Sequence, residues 1–157
     1  MRRVWTIISI ILIFGLFGCG TTNSTEENES VNPKVDAEQL EDFKVAIHVE
    51  EDLNVYATIT YVGEEAEKEI YHGGSIFFFN VYQEDGNPVY ESSMPLPLIT
   101  TTLTQNEPLR EDFNMIKDIE INSGTYEFEA IAMFSLDEDD VLGTSIDMTV
   151  SKMVEVE

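Results

Sequence analysis

Cysteine occurs once in this chain, at Cys19, and histidine only twice, at His48 and His72. A single thiol cannot staple a fold through an internal disulfide, so any folded domain must stand on its apolar core. The His-Glu-x-x-His spacing of a zinc site is missing, and no cysteine follows Cys19 to serve a thiolate site. A serine triad would have to recruit one of the two histidines as its positioned base. Positive charge is scarce too: eight Lys and Arg stand against 31 Asp and Glu, a formal charge of −23. Every phosphate meets repulsion from such a surface, which excludes nucleic acid and makes anionic lipid a poor partner. The same charge attracts cations and basic peptides. Spread along the chain as it is, it equally serves solubility or life in a salty or alkaline habitat.

What is present begins with a leader. Met1-Arg2-Arg3 is a short positive region, and Val4 to Phe17 is almost wholly apolar. That is the shape of a signal peptide, because the run falls short of the ~20 residues that a permanent membrane helix needs. An uncleaved N-terminal anchor is the competing reading, and it also places the remainder outside the cytoplasm. Leu16, Phe17 and Gly18 before Cys19 resemble the bacterial lipoprotein box, in which the thiol is linked to diacylglycerol before cleavage. Two palmitate-type chains hold a protein to a membrane where one would not, since each buried methylene contributes about 0.8 kcal/mol. The other roles of a lone cysteine, nucleophile or reactive thiol, find no partner residue beside Cys19. The resemblance therefore implies a lipid-anchored protein on the extracytoplasmic face of the cell membrane.

Three segments follow from this reading. Residues 1–18 are the lipoprotein signal peptide, 19–42 the lipidated cysteine with an acidic disordered tether, and 43–157 the folded domain. Removal of residues 1–18 takes Arg2 and Arg3 with it and leaves six cations against 31 acids, a charge of −25. The tether is polar and acidic, and about two dozen such residues reach roughly 25–30 Å. A single helical turn over Asp36 to Asp42 is the most order expected there.

From Phe43 onward the hydrophobic period is two. Phe43, Val45, Ile47 and Val49 share one face, and Leu53, Val55, Ala57, Ile59 and Tyr61 repeat the pattern after a turn at Glu51-Asp52. Lys68 to His72 form a short strand. Ser75 to Gln83 is apolar on both faces and suits a central strand, with Phe77, Phe79 and Val81 inward. Pro88 to Glu91 belongs at an edge, because proline cannot donate to a ladder. Met94-Pro95-Leu96-Pro97 would carry the chain between sheets. Strands then follow over Leu98 to Thr104, around Leu109 to Met115, over Tyr126 to Phe134, and from Thr144 through Val156. Seven to nine short strands with turn signals between them predict an all-β, immunoglobulin/fibronectin III-like antiparallel β-sandwich. Tyr126 is placed to form a tyrosine corner, its phenol bonding back to upstream backbone.

His72-Gly73-Gly74-Ser75-Ile76-Phe77-Phe78-Phe79-Asn80-Val81-Tyr82, with Asp85-Gly86, Val89-Tyr90, Thr101-Thr102-Leu103 and Gly124-Thr125-Tyr126-Glu127-Phe128, resembles the intracellular proteinase inhibitor (BsuPI) family. It is similar as well to related immunoglobulin-like domains of small Gram-positive lipoproteins. Where that family usually has glycine, this chain has Asn106. The resemblance implies the fold and, as an alternative function, extracellular inhibition of a protease.

Candidate sites are few. His48 falls on the polar face of its strand, where a solvated histidine is the plain expectation. His72, Gly73 and Gly74 form a candidate binding loop, since glycine lets backbone approach a ligand closely; the plain alternative is a strand that ends at a tight turn. Asp137, Asp139 and Asp140 are candidate calcium ligands, the one cofactor suggested besides the diacylglycerol anchor. Their spacing lacks the alternating acids, glycine and terminal glutamate of an EF-hand, and a solvated acidic hairpin loop is the alternative. Paired carboxylates for glycoside hydrolysis would find little cleft in so small a sandwich. With no catalytic constellation, the sequence predicts a non-catalytic binding module whose partners are the membrane, through its lipid, and a protein or envelope component.

Overall fold

A computed structural model describes residues 35–93 and 97–157. The expected signal peptide, the expected lipobox residues Leu16, Phe17 and Gly18, Cys19, the expected tether as far as Lys34, and Met94-Pro95-Leu96 lie outside the described residues. The rest is an all-β, two-sheet antiparallel sandwich. Ten strands are described: β1 (Ala37–Leu40), β2 (Phe43–Val49), β3 (Val55–Tyr61), β4 (Glu67–His72), β5 (Phe77–Gln83), β6 (Pro88–Glu91), β7 (Ile99–Thr104), β8 (Leu109–Asp112), β9 (Gly124–Ser135) and β10 (Ser145–Val156). The first sheet runs β1-β2-β3-β8; the second runs β6-β5-β9-β4-β7, with β10 paired to β9.

Alternation places the core. In β2, β3, β9 and β10 apolar residues at alternate positions are buried, among them Val45, Ala57, Ile59, Phe128, Ala130 and Met148, while Val49, Val154 and Val156 at the strand ends are half-buried. Phe43 of β2 meets Phe134 of β9 edge-on at 4.8 Å, a favoured aromatic geometry that joins the two sheets. Phe77 through Val81 are all buried, Asn80 among them, as a central strand covered on both faces requires. Pro88 opens an edge strand. The Tyr126 phenol accepts the backbone N–H of Asn122, four residues upstream, at 3.2 Å.

The structure departs from expectation in five places. Ala37–Leu40, read from sequence as tether with at most a helical turn, is strand β1, paired antiparallel with β2. Hydrogen bonds from Thr149 N–H to Glu38 Oε2 (3.1 Å) and from Ser151 N–H to the Val35 carbonyl (2.8 Å) fasten it to β10. Polar composition hid these partners, which come from the far end of the chain. With β1 the strands number ten rather than seven to nine. Leu53 is not part of β3; it sits in the β2–β3 turn at φ 58°, while its side chain still packs on the core. Met115 lies in a short 3-10 helix, Asn114–Asp118, and is half-exposed. Finally, β6 and β7 belong to the same sheet, at its opposite ends, so the segment around Pro97 does not change sheets.

Both corners of the sandwich are tied. One tie is the β1–β10 contact. The other is a parallel bridge between Tyr61 and Gln105, supported by the Asn106 N–H donating to the Tyr61 carbonyl at 2.8 Å. Asn106 adopts φ 59°, a left-handed backbone that asparagine tolerates better than most residues.

Candidate functional site

His72 is the last residue of β4 and is buried. Its Nδ1 lies 2.7 Å from the Gly73 carbonyl, which can only accept, so Nδ1 carries a proton and donates. Its Nε2 lies 2.8 Å from Thr101 Oγ1 on β7. Both ring nitrogens are thus committed to structure, tying the end of β4 to its neighbour. Neither Gly73 nor Gly74 takes a positive φ. Gly73 and His72 nevertheless line a surface groove of about 270 Å³, which they share with Tyr71, Leu98, Met133, Val141 and Leu142.

Leu142 is the most exposed of the large apolar residues that line the groove. It is 93% exposed and stands in the β9–β10 turn. Leu98, across the groove, is 51% exposed. The turn that carries Leu142 is closed by its own hydrogen bonds. Asp140 Oδ1 accepts the Gly143 N–H at 3.0 Å, and the Asp140 carbonyl accepts both the Thr144 N–H at 3.1 Å and the Thr144 hydroxyl at 2.8 Å. Beneath it the buried Ser135 hydroxyl donates to the Asp137 carbonyl at 2.9 Å and lies 2.6 Å from Thr144 Oγ1. A rigid support therefore holds an apolar side chain in water, at a cost of order 1 kcal/mol or more in unburied apolar area.

Two of the three candidate calcium ligands, Asp137 and Asp140, carry side-chain hydrogen bonds of this turn. Asp137 Oδ1 accepts the Asp139 N–H at 2.9 Å, and Asp140 bonds Gly143 as above. No group of three or more His, Cys, Asp or Glu side chains among the described residues has the geometry to hold a metal ion. The acids still shape the local field. Partial burial first, and then the carboxylates of Glu69, Glu138, Asp137 and Asp139, push the Tyr71 phenol above its ordinary range. Tyr71 lies on the groove wall, so the apolar surface is rimmed by negative charge.

A second cluster escaped sequence reasoning. His48 is not simply solvated: it stacks on Tyr56 of the adjacent strand at 4.6 Å and 13°. Arg110 covers the Tyr56 ring at 3.5 Å. The guanidinium is in turn held by Asp112, with Nε and Nη2 at 2.8 and 2.5 Å from Oδ1, which keeps its proton more firmly than usual. Arg110 and Lys117 line an open hollow with Asp52 and Asp112, so their charge is balanced locally. Cross-strand register makes this stack, and register is not visible until β8 is known to pair with β3. The Leu142 groove had one sequence signal, an apolar Val141-Leu142 step inside an acidic turn, which the reading of Asp137 to Asp140 as a solvated loop passed over.

Compared with protein-family models and with curated proteins, the chain matches none.

Proposed function

We propose that this protein is a lipid-anchored, extracytoplasmic lipoprotein whose immunoglobulin-like sandwich is a non-catalytic binding module for a protein or envelope component. The contact surface is the groove bounded by Leu98, Val141 and Leu142. One observation carries the reading: Leu142 is held 93% exposed by a turn whose backbone and hydroxyl groups are tied down. A leucine fixed in water beside an apolar groove is an anchor awaiting a partner, since a mobile turn would let it fold back. The leader and Cys19 supply the membrane attachment, and both ring nitrogens of His72 are taken up by hydrogen bonds with Gly73 and Thr101.

Crosslinking on native membranes tests this reading. The wild-type chain should yield a discrete adduct that a Leu142→Glu variant fails to form at equal abundance. An adduct indifferent to Leu142→Glu, or catalytic turnover by the purified chain, would sink it. The resemblance to the BsuPI family supports the alternative of extracellular protease inhibition. Unchanged rates for a panel of serine proteases at micromolar protein would remove that alternative.

A further inference from the structure

The groove opens onto the start of β7, and β7 is an edge strand. Antiparallel partners alternate between pairs that exchange hydrogen bonds and pairs that do not. Gln105 N–H donates to the Ala66 carbonyl at 2.8 Å, which makes that pair a bonded one. Counting back through the register, Leu103, Thr101 and Ile99 bond to β4, whereas Thr102 and Thr100, opposite Glu69 and Tyr71, turn their N–H and C=O groups outward. The Thr104 carbonyl is taken by the Glu107 N–H at 3.1 Å, so the unpaired backbone is centred on Thr100 and Thr102.

Sheet edges are usually blocked by charge, proline or cover. Pro88 and Glu91 block β6, Arg110, Glu111 and Asp112 block β8, and Glu38 sits in the four-residue β1. Ile99-Thr100-Thr101-Thr102-Leu103-Thr104 carries neither charge nor proline. Its two faces differ. Glu67, Glu69 and Tyr71 lie opposite Thr104, Thr102 and Thr100 on the outer face, while Ile70, His72 and Leu103 are buried on the inner one. A second copy of this chain is a poor occupant, because residues 35–157 hold 28 acids against five Lys and Arg and two such domains repel.

We infer that β7 accepts an extended peptide segment as an added strand. The segment alternates lysine or arginine with valine, leucine or isoleucine. Backbone hydrogen bonds to Thr100 and Thr102 hold it, as in other cases of strand addition. Its basic face reaches Glu67 and Glu69, and its apolar face continues that of Ile99, which is 38% exposed. This inference rests on the binding-module reading and names the class of partner for it.

The probe is a blocked seven-residue peptide alternating lysine and valine, labelled with a fluorophore and titrated into the full-length chain in neutral detergent. A control peptide carries N-methyl groups at alternate amides, which leaves charge and apolar surface but removes the donors. The parent peptide should bind and the control should not. Thr102→Pro deletes an outward N–H and no ladder bond, so the variant should keep its far-ultraviolet circular dichroism and bind about tenfold or more weakly. Absence of binding by the parent peptide, or equal binding by the control peptide, would overturn strand addition without use of any variant; a folded Thr102→Pro chain that binds like wild type would do the same. The binding-module reading is judged separately, by the Leu142-dependent adduct on native membranes.

Discussion

Glu111, on β8 of the first sheet, accepts the backbone N–H of Ile76 at the threshold of β5 in the second, with Oε2 at 3.2 Å. Its Oε1 takes the Ser75 hydroxyl. Ile76 is 3% exposed, so this carboxylate satisfies a buried donor that water does not reach. Hydrogen bonds to a charged acceptor contribute about 1.5–3 kcal/mol, and a buried donor left unpaired adds its desolvation penalty. Glu111→Ala should therefore lower stability by about 2 kcal/mol in urea denaturation, with Glu111→Gln losing less. A change under about 0.5 kcal/mol, the range of ordinary surface substitutions, would show that the tie carries no load.

The Tyr126 phenol makes a local tie of a different kind. Its ring is buried and its oxygen meets the Asn122 N–H at 3.2 Å, closing the entry into β9. Tyr126→Phe keeps the ring and removes the acceptor, so a loss of about 1 kcal/mol is expected. Faster hydrogen exchange at the Asn122 amide in that variant would locate the effect.

Strand β1 sets where the folded domain starts. A chain beginning at Phe43 lacks Val35 and Glu38, the acceptors for Ser151 N–H and Thr149 N–H, and leaves the outer edge of β2 bare. Calorimetry should give that chain a lower Tm than one beginning at Asn32, by several degrees for a loss of about 1–2 kcal/mol. Equal melting of the two would remove β1 from the stable fold.

Alkaline pH should weaken the domain. Burial and then acidic neighbours raise the phenol of Tyr71, and burial with Glu129 and Glu91 raises that of Tyr82. A raised phenol holds its proton more firmly in the folded than in the unfolded chain. Its contribution is complete below the ordinary phenol value of about 10 and is lost as pH climbs through the higher folded value. Melting temperature should fall across that window, and Tyr71→Phe with Tyr82→Phe should flatten the fall. An unaltered slope in the double variant would contradict the assignment.

Cys19→Ser addresses the anchor. The variant should leave the membrane fraction while the released protein keeps the circular dichroism and protease resistance of the wild-type domain. Retention on the membrane would mean that the apolar leader itself is the anchor.

The sequence by itself determined the strands whose signal is a period of two. Phe43 to Val49, Val55 to Tyr61 and Tyr126 to Phe134 could be placed, with their buried faces, because alternation records which side meets the core. Pro88 at an edge and the Tyr126 corner were legible for the same reason, each being a local constraint of covalent structure or of a few residues. Only the tertiary structure decided what depends on distant partners. The four residues of β1 carry no apolar period and are ordered by β2 and β10. His72 could be placed at the end of its strand from the sequence, but its second nitrogen meets Thr101 only because β4 pairs with β7. Leu142 and Leu98, far apart in sequence, line one groove only because the fold brings them together. A chain's period is written locally, whereas the register between strands far apart in sequence is set by the packing of the whole sandwich.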